Sequence, residues 1–345
     1  MPDTVRLRDL DPAGDRPALE RLWAAAIGDA WPVLPAGLEF LRTGVVAEAV
    51  GEPVGVVAVE AGDDRRGGVQ LLLVDPAVQR RGIGTRLLEA GIERLRALGV
   101  TTVALGSGGH DYLWPGVPED LPGAAGFFAA RGWRFGHKVL DLVVDLRRFQ
   151  TPAGTLERAK RAGVTIEVQT GPPVPAGPDP AVELLAFEAE HFPNWLRAFQ
   201  RSTSPVLVAR DPGGAIAGTL LFRGPPDAAI FTAMLGADAG TIGCVGVAAA
   251  ARGAGVGSAM VARASELLRD AGTGVCHISW TEREWFYRRV GYLPWRRYHM
   301  AERPIRESIA RAERPGPGAV AGPRGCGRAG APPEPPRRVH NSFTA

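Results

Sequence analysis

Two stretches of this sequence place small residues where a chain could cradle an anion. Gln79-Arg80-Arg81-Gly82-Ile83-Gly84 and Arg252-Gly253-Ala254-Gly255-Val256-Gly257-Ser258 each follow an apolar run and precede a segment with helical periodicity. A glycine-rich turn at a helix start leaves its backbone N–H groups unobstructed, and the unsatisfied first-turn donors together with the helix dipole favour a bound anion. Phosphate is the natural cargo. Neither stretch has the GxxxxGK[ST] pattern of a P-loop. The dinucleotide fingerprint fails as well, because Ser258 stands at the third glycine position and no suitably placed ribose-binding acid follows about 20 residues on. The alternative is that these glycines only let a strand and a helix pack closely.

The two stretches align without a gap at an offset of 173 positions, Val74 falling on Val247 and Gln79, Gly82 and Gly84 on Arg252, Gly255 and Gly257. An offset of about half the chain reads as a duplicated domain and not as a short-period solenoid. In the first half VRLRDL, EPVGVVAVE and VQLLLV have strand patterning, while DRPALERLWAAAI and RLLEAGIERLRALG have helical patterning. TTVALG, AAGFFAARG and WRFGHKVLDLVVDL then read as strand, helix and closing hairpin, and the second half repeats this order from VTIEV to YLPWRRYHM. The expected fold class is mixed α/β, two tandem domains each built on a central, mostly antiparallel sheet flanked by helices. The expected boundaries are 1–148, a linker over 149–163, a second domain over 164–303 and a disordered Pro/Gly/Arg-rich tail over 304–345.

The chain has 345 residues, 45% of them hydrophobic, and a formal net charge of +3. The segment from Glu313 onward supplies that excess through Arg314, Arg324, Arg328, Arg337 and Arg338, so the rest is near neutral and no nucleic-acid or membrane partner is expected. Cys244, Cys276 and Cys326 are odd in number and lack metal-ligand spacing, which argues against a disulfide framework or a metal site. No signal-like N-terminus and no apolar run near the ~18 residues of a membrane helix is present, so a cytoplasmic location is expected. Oligomeric state is left open.

In this setting the chain resembles the GNAT acetyltransferase superfamily, whose pyrophosphate loop reads [Gln/Arg]-x-x-Gly-x-[Gly/Ala] between a strand and a helix. Both stretches fit, and each is followed by a Phe-aromatic-x-x-x-Gly-aromatic segment, FFAARGW and FYRRVGY. The resemblance implies two tandem GNAT domains and acetyl-CoA as the cofactor. It would be held in the second half by the loop Arg252 to Ser258 and the strand residues Val245, Gly246 and Val247, with Gln79, Gly82 and Gly84 as the first-half counterparts. Main-chain N–H groups near Gly246 and Val247 would polarise the acetyl oxygen. Transfer would be direct, in a ternary complex, so Cys244 and Cys276 are read as buried apolar residues and not as nucleophiles.

The superfamily's general acid is commonly the Tyr of a Phe-Tyr pair, which implies Tyr287. The first-half equivalent is Phe128, which has no hydroxyl to donate, so catalysis is assigned to the second half and the first half is read as non-catalytic. Tyr287 could also be an ordinary half-buried aromatic. A base is needed to make an ammonium nucleophilic. Thr281-Glu282-Arg283-Glu284 fits a capping box in which Glu284 satisfies the helix start, and Glu282 is either a helix-dipole partner or the base. His277 is a weaker candidate.

Beyond the offset alignment, Val74 lies 54 residues before Phe128 but Val247 only 40 before Tyr287, and the extra length is the loop SGGHDYLWPGVPEDLP. Such a loop either packs the halves together or binds substrate. The segments HDYLWPGVPEDLPGAAGFFAARGW, HFPNW and HISWTEREWFYRRVGY look like those of tandem-domain glucosamine/glucosaminide N-acetyltransferases. This narrower resemblance implies a small-molecule amine acceptor, an amino sugar, and puts Glu282 and Tyr292 at catalytic positions beside Tyr287. Aromatic faces and carboxylates suit an amino sugar, which nominates Tyr112, Trp114, Glu190, Trp195 and Trp280 for the acceptor. A mycothiol-synthase-like enzyme and a non-enzymatic acyl-CoA-binding module are the rival readings.

Overall fold

The computed structural model describes residues 5–32, 38, 41–169, 180–225 and 232–305. The first half runs β1 (Arg6–Asp9), α1 (Arg16–Ile27), β2 (Gly44–Ala49), β3 (Glu52–Ala61), β4 (Arg66–Val74), α2 (Ile83–Ala97), β5 (Thr102–Leu105), β6 (Val117–Pro118), α3 (Pro122–Ala129) and β7 (Lys138–Asp145). After α4 (Thr155–Arg161), the second half runs β8 (Thr165–Gln169), α5 (Pro180–His191), α6 (Leu196–Arg201), β9 (Val206–Arg210), β10 (Ile216–Arg223) and α7 (Thr232–Leu235). It continues through β11 (Ala239–Val247), α8 (Val256–Asp270), β12 (Val275–Thr281), α9 (Glu284–Arg288), β13 (Leu293–His299) and β14 (Glu302–Pro304). The offset of 173 that aligns the loops carries both ends of β4 onto those of β11 and both ends of α2 onto those of α8.

Two sheets result, ordered β1-β2-β3-β4-β5-β14 and β6-β13-β7-β12-β11-β10-β9-β8. All pairings are antiparallel except β4 with β5 and β11 with β12. Alternation along the strands loads both faces of each sheet. In β3, Val57 and Val59 meet the α2 face with Leu87 and Leu95, whereas Val56 and Ala58 meet α1 through Leu19, Leu22 and Trp23. In β10, Leu220 and Phe222 pack under α8, and Leu221 faces α5 and α6.

The structure corrects the expectation of a closing hairpin in the first half. Within 133–146 only β7 forms a strand, and it lies in the second sheet, between β12 and β13. In return β14, from the second half, pairs with β5 of the first sheet. The halves thus exchange their last strands. β7 reads KVLDLVVD and buries Val139, Leu140, Asp141 and Leu142 in succession, so it needs cover on both faces, and a central position in the larger sheet supplies it.

The expected linker 149–163 contains α4, whose Ala159 is buried and whose Leu156 packs on the core beneath α8. The expected tail falls outside the described residues except at its start. Pro304 closes β14 and the Ile305 N–H donates to the Thr101 carbonyl at 2.8 Å. Among the described residues no helix is long and apolar enough to cross a membrane, and no group of three His, Cys, Asp or Glu side chains could hold a metal ion.

Candidate active site

Gly82 and Gly255 stand at the same place, each in the left-handed region (φ +82° and +85°) as the residue before a helix of 15 residues. Only glycine takes this turn without cost. The preceding residues of the motif brace the loop from its own strand: Gln79 Nε2 donates to the Val74 carbonyl at 3.0 Å, and Arg252 Nε donates to the Val247 carbonyl at 3.1 Å. Their side chains shape the loop. Donation to an anion falls to the main chain, since among the described residues no acceptor takes up the N–H groups of Gly253, Ala254, Gly255, Val256 or Gly257. Gly257 is pressed by Phe286, whose Cζ would lie 3.1 Å from an added Cβ, as Gly84 is by Phe127 at 3.2 Å to Cε2. Ser258 lies in the first turn of α8. Arg158 of α4 adds a clasp, its Nη2 donating to the Gly253 carbonyl at 2.9 Å and its alkyl chain lying against Gly255.

The strand leading into this loop parts from its neighbour. β11 pairs with β12 from Ala239 to Ile242 and not beyond, so residues 243–247 border a widening cleft. On the other edge the register with β10 shifts between Thr219 and Leu221, and Cys244 takes φ +50° in the resulting bulge. A bulge re-aims main-chain groups, here in the stretch that contains Val245, Gly246 and Val247. Phe192 covers Gly246 so closely that a Cβ there would lie 2.5 Å from its ring.

Tyr287, on the short helix α9, is buried, and its hydroxyl has no hydrogen-bond partner among the described residues. Burial, with Cys244 nearby, lifts it above the ordinary tyrosine range and keeps it a protonated donor. Tyr292 is placed differently. It is fully buried and donates to Ser265 Oγ at 2.8 Å, Ser265 spending its own proton on the Val261 carbonyl. That makes it a brace between α8 and β12, with its ring 6.3 Å from that of Tyr287.

Glu282 is exposed and holds His137 Nε2 at 2.9 Å, which leaves it on the rim. The expected capping box does not form: Thr281 Oγ1 accepts from the Arg283 N–H, and Glu284 pairs with Arg288 and Arg297. His277 is sealed in the core, 3.3 Å from Asp141 Oδ2, where Asp141 also accepts from the Tyr298 hydroxyl at 2.6 Å and the Trp280 N–H at 2.9 Å. Burial pushes the Cys244 and Cys276 thiols up to about 12, so neither is a nucleophile near neutrality.

Of the acceptor candidates, Tyr112 and Trp280 come together edge to face at 5.2 Å across the two halves, with the Tyr112 hydroxyl bonded to Ser279. Trp195 stacks on Phe192 at 5.0 Å, so it too belongs to the second-half cleft. Trp114 does not. It is wedged between Trp23 (5.4 Å) and Trp31 (5.2 Å) in the first-half core. Glu190 points to solvent beside His191.

A second carboxylate on α5 stands two residues earlier. Glu188 is fully buried, accepts from the Thr219 hydroxyl at 2.5 Å, and leaves Oε2 without a partner among the described residues. Burial pushes its carboxyl up to about 7. The signal available in the sequence was helical phase, because Leu184, Phe187 and Glu188 stand at i, i+3 and i+4 on the face that packs inward.

Residues 16–111 and 175–292 each match the Acetyltransferase (GNAT) family. No curated protein matches the chain. Among solved structures it is similar to a GCN5-related glucosamine N-acetyltransferase region of a fungal multi-domain GH3 β-N-acetylglucosaminidase, with 30% identity and a TM-score of 0.79 over 88% of this chain; the match spans 38% of that one. Two others share the fold: a GCN5-related N-acetyltransferase from Sphaerobacter thermophilus (22% identity, TM-score 0.64, 90% of this chain and 98% of that) and a tandem GNAT protein from the clavulanic acid biosynthesis pathway (18%, 0.59, 87% and 98%). Since the two matched regions contain the strand, loop and helix that recur at an offset of 173, the chain belongs to the Acetyltransferase (GNAT) family of N-acetyltransferases.

Proposed function

We propose that the second half moves an acetyl group from acetyl-CoA to the primary amine of a small molecule, glucosamine or a glucosaminide, in one direct step. The observation that carries the assignment to this half is the contrast between Tyr287, a buried tyrosine whose hydroxyl bonds no described residue, and Phe128 in the equivalent place. Similarity to a glucosamine N-acetyltransferase region at 30% identity supports the acceptor class.

The residues present fit the donor. Unpaired main-chain N–H groups from Gly253 to Gly257 suit a pyrophosphate, and the parted edge of β11 suits an extended pantetheine arm. The thioester supplies an electrophilic carbonyl when bound. Main-chain N–H groups near Gly246 and Val247 polarise its oxygen, and Tyr287 holds the proton that the leaving sulfur requires. The protonated state of Cys244 and Cys276 supports direct transfer without an acyl-enzyme. Tyr112 and Trp280, paired edge to face, and Trp195, stacked on Phe192, are the aromatic side chains assigned to the acceptor.

The test is thiol release from acetyl-CoA with glucosamine, a chitobiose-type glucosaminide and a peptide amine, for the wild type and Tyr287→Phe. Release with the amino sugars that falls at least ~10-fold in the variant supports the reading. Undiminished turnover in the variant removes Tyr287 as the acid, and release with the peptide amine alone removes the amino sugar.

A further inference from the structure

The duplication supplies an internal control for every side chain near the cleft. Matching the buried stripe Leu184, Phe187, Glu188 of α5 to Leu19, Leu22, Trp23 of α1 puts Glu188 on Trp23. Ladder partners put Thr219, opposite Gly246, on Val56, opposite Leu73. The bulge residues Cys244 and Gly246 fall on Leu71 and Leu73. In the first half, then, Trp23, Val56, Leu71 and Leu73 form one continuous apolar cluster, completed by Trp114. In the second half the same places hold a carboxylate, a hydroxyl, a thiol and a bare glycine.

A buried carboxylate on an apolar helix face is costly, and half of this one's hydrogen-bonding capacity is unused. Thr219 fixes one oxygen and leaves the other buried and unpartnered among the described residues, one ladder step from the bulge. Glu188 raises the pKa of Cys244, and Cys244 that of Tyr287, so the three groups are electrostatic neighbours at the bulge.

We infer that Glu188, oriented by Thr219, is the general base that takes the acceptor amine's proton, opposite Tyr287 as the acid. This rests on the proposed amine acetylation. The step balances: the amine nitrogen forms a bond to the acetyl carbon and gives one proton to Glu188, directly or through one water, while the C–S bond breaks and the sulfur takes the Tyr287 proton. Solvent then restores Tyr287 and deprotonates Glu188. A carboxyl near neutrality has the affinity such a base needs. Of the groups facing it, Thr219 on β10 is uncharged and Cys244 on β11 keeps its proton.

The test compares wild type, Glu188→Gln and Thr219→Val by the pH profile of kcat with glucosamine, coenzyme A affinity, and melting temperature. Expected for Glu188→Gln is a kcat lower by about 100-fold or more, loss of the acidic limb of the profile, and coenzyme A affinity within about 2-fold. Thr219→Val should keep much of the rate and shift that limb to higher pH. Calorimetry of glucosamine binding to the coenzyme A complex in two buffers should show a proton exchange that Glu188→Gln abolishes. A wild type that turns over amines while Glu188→Gln keeps its rate and profile overturns this assignment alone. A wild type inactive with every amine overturns the underlying reading as well. Parallel collapse of coenzyme A binding and melting temperature in both variants overturns it in favour of a purely structural carboxyl.

Discussion

Arg252 bonds back to Val247 across the start of its own loop, its Nε donating to that carbonyl at 3.1 Å, and Gln79 repeats the bond to Val74 in the first half. The first residue of each motif therefore sets the loop's curvature, and nothing in this bond requires a positive charge. Arg252→Gln is expected to keep coenzyme A affinity within about 3-fold. Arg252→Ala should lower it about 5-fold, the equivalent of one hydrogen bond worth about 1 kcal/mol. Titration of coenzyme A into the two variants decides the matter; equal losses would mean the charge itself does the binding.

Gly253 and Gly255 both have positive φ, +84° and +85°, but their surroundings differ. A Cβ on Gly253 meets nothing within 4 Å, whereas one on Gly255 would lie 2.9 Å from Arg158 Cδ. Alanine at either position carries the left-handed penalty of about 1 kcal/mol. At Gly255 it must also displace the α4 clasp. Gly255→Ala should thus weaken coenzyme A binding more than Gly253→Ala, by about 10-fold or more, and Arg158→Ala should restore part of the loss.

The loops are legible in the sequence because a left-handed turn before a helix leaves a letter, glycine, at a fixed spacing. The proposed acid is legible for a similar reason, since Tyr287 and Phe128 differ by a single hydroxyl oxygen. Glu188 is not, because a buried and an exposed glutamate two positions apart carry the same letter, and only the phase set by Leu184 and Phe187 separates Glu188 from Glu190. Trp114 misleads in the opposite way: an aromatic in a glycine-rich loop looks exposed until Trp23 and Trp31 are seen to enclose it. The exchange of β7 and β14 leaves no trace, since a strand's alternation is identical whichever sheet receives it.

Tyr287 contributes a hydroxyl that bonds no side chain among the described residues, so Tyr287→Phe should leave the melting temperature within about 1 °C while costing activity. The converse, Phe128→Tyr, should gain none. Its surroundings in the first half are the apolar cluster of Leu87, Leu105 and Trp133, without a carboxylate at the place of Glu188. Thiol release by Phe128→Tyr in a Tyr287→Phe background checks this, and any recovery would show that the first half keeps a working site.

The Glu188 carboxyl also predicts a pH-dependent stability with a definite sign. Burial carries it from 4.5 to about 7, so between those values the folded chain holds a proton that the unfolded chain has lost. Stability from this group therefore falls as pH rises through that window and is level above it. At 1.36 kcal/mol per unit the total is about 3 kcal/mol. Glu188→Gln, which does not titrate, should gain on the wild type by about that amount between pH 4 and pH 8. Urea unfolding at the two pH values measures it, and a constant difference would mean that the carboxyl is not desolvated.

Exchange of the last strands makes the two halves one folding unit. A fragment 1–148 would carry β7 without its neighbours, baring Leu140 and Leu142, and would leave the β5 edge without β14. A fragment 149–305 would lack the strand between β12 and β13 and with it Asp141, on which the Tyr298 hydroxyl and the Trp280 N–H depend. Open central edges of this kind pair with whatever is at hand. Neither fragment should therefore fold alone, whereas co-expression should yield a soluble complex. In the intact chain Asp141→Ala should cost about 3 kcal/mol, through loss of the buried hydrogen bonds it accepts from the Tyr298 hydroxyl and the Trp280 N–H. Because Asp141 belongs by sequence to the first half and by contact to the second, that loss should lower one cooperative transition for the whole chain, followed by circular dichroism and by tryptophan fluorescence. Two separate transitions would mean that each half is stable without the strand it receives.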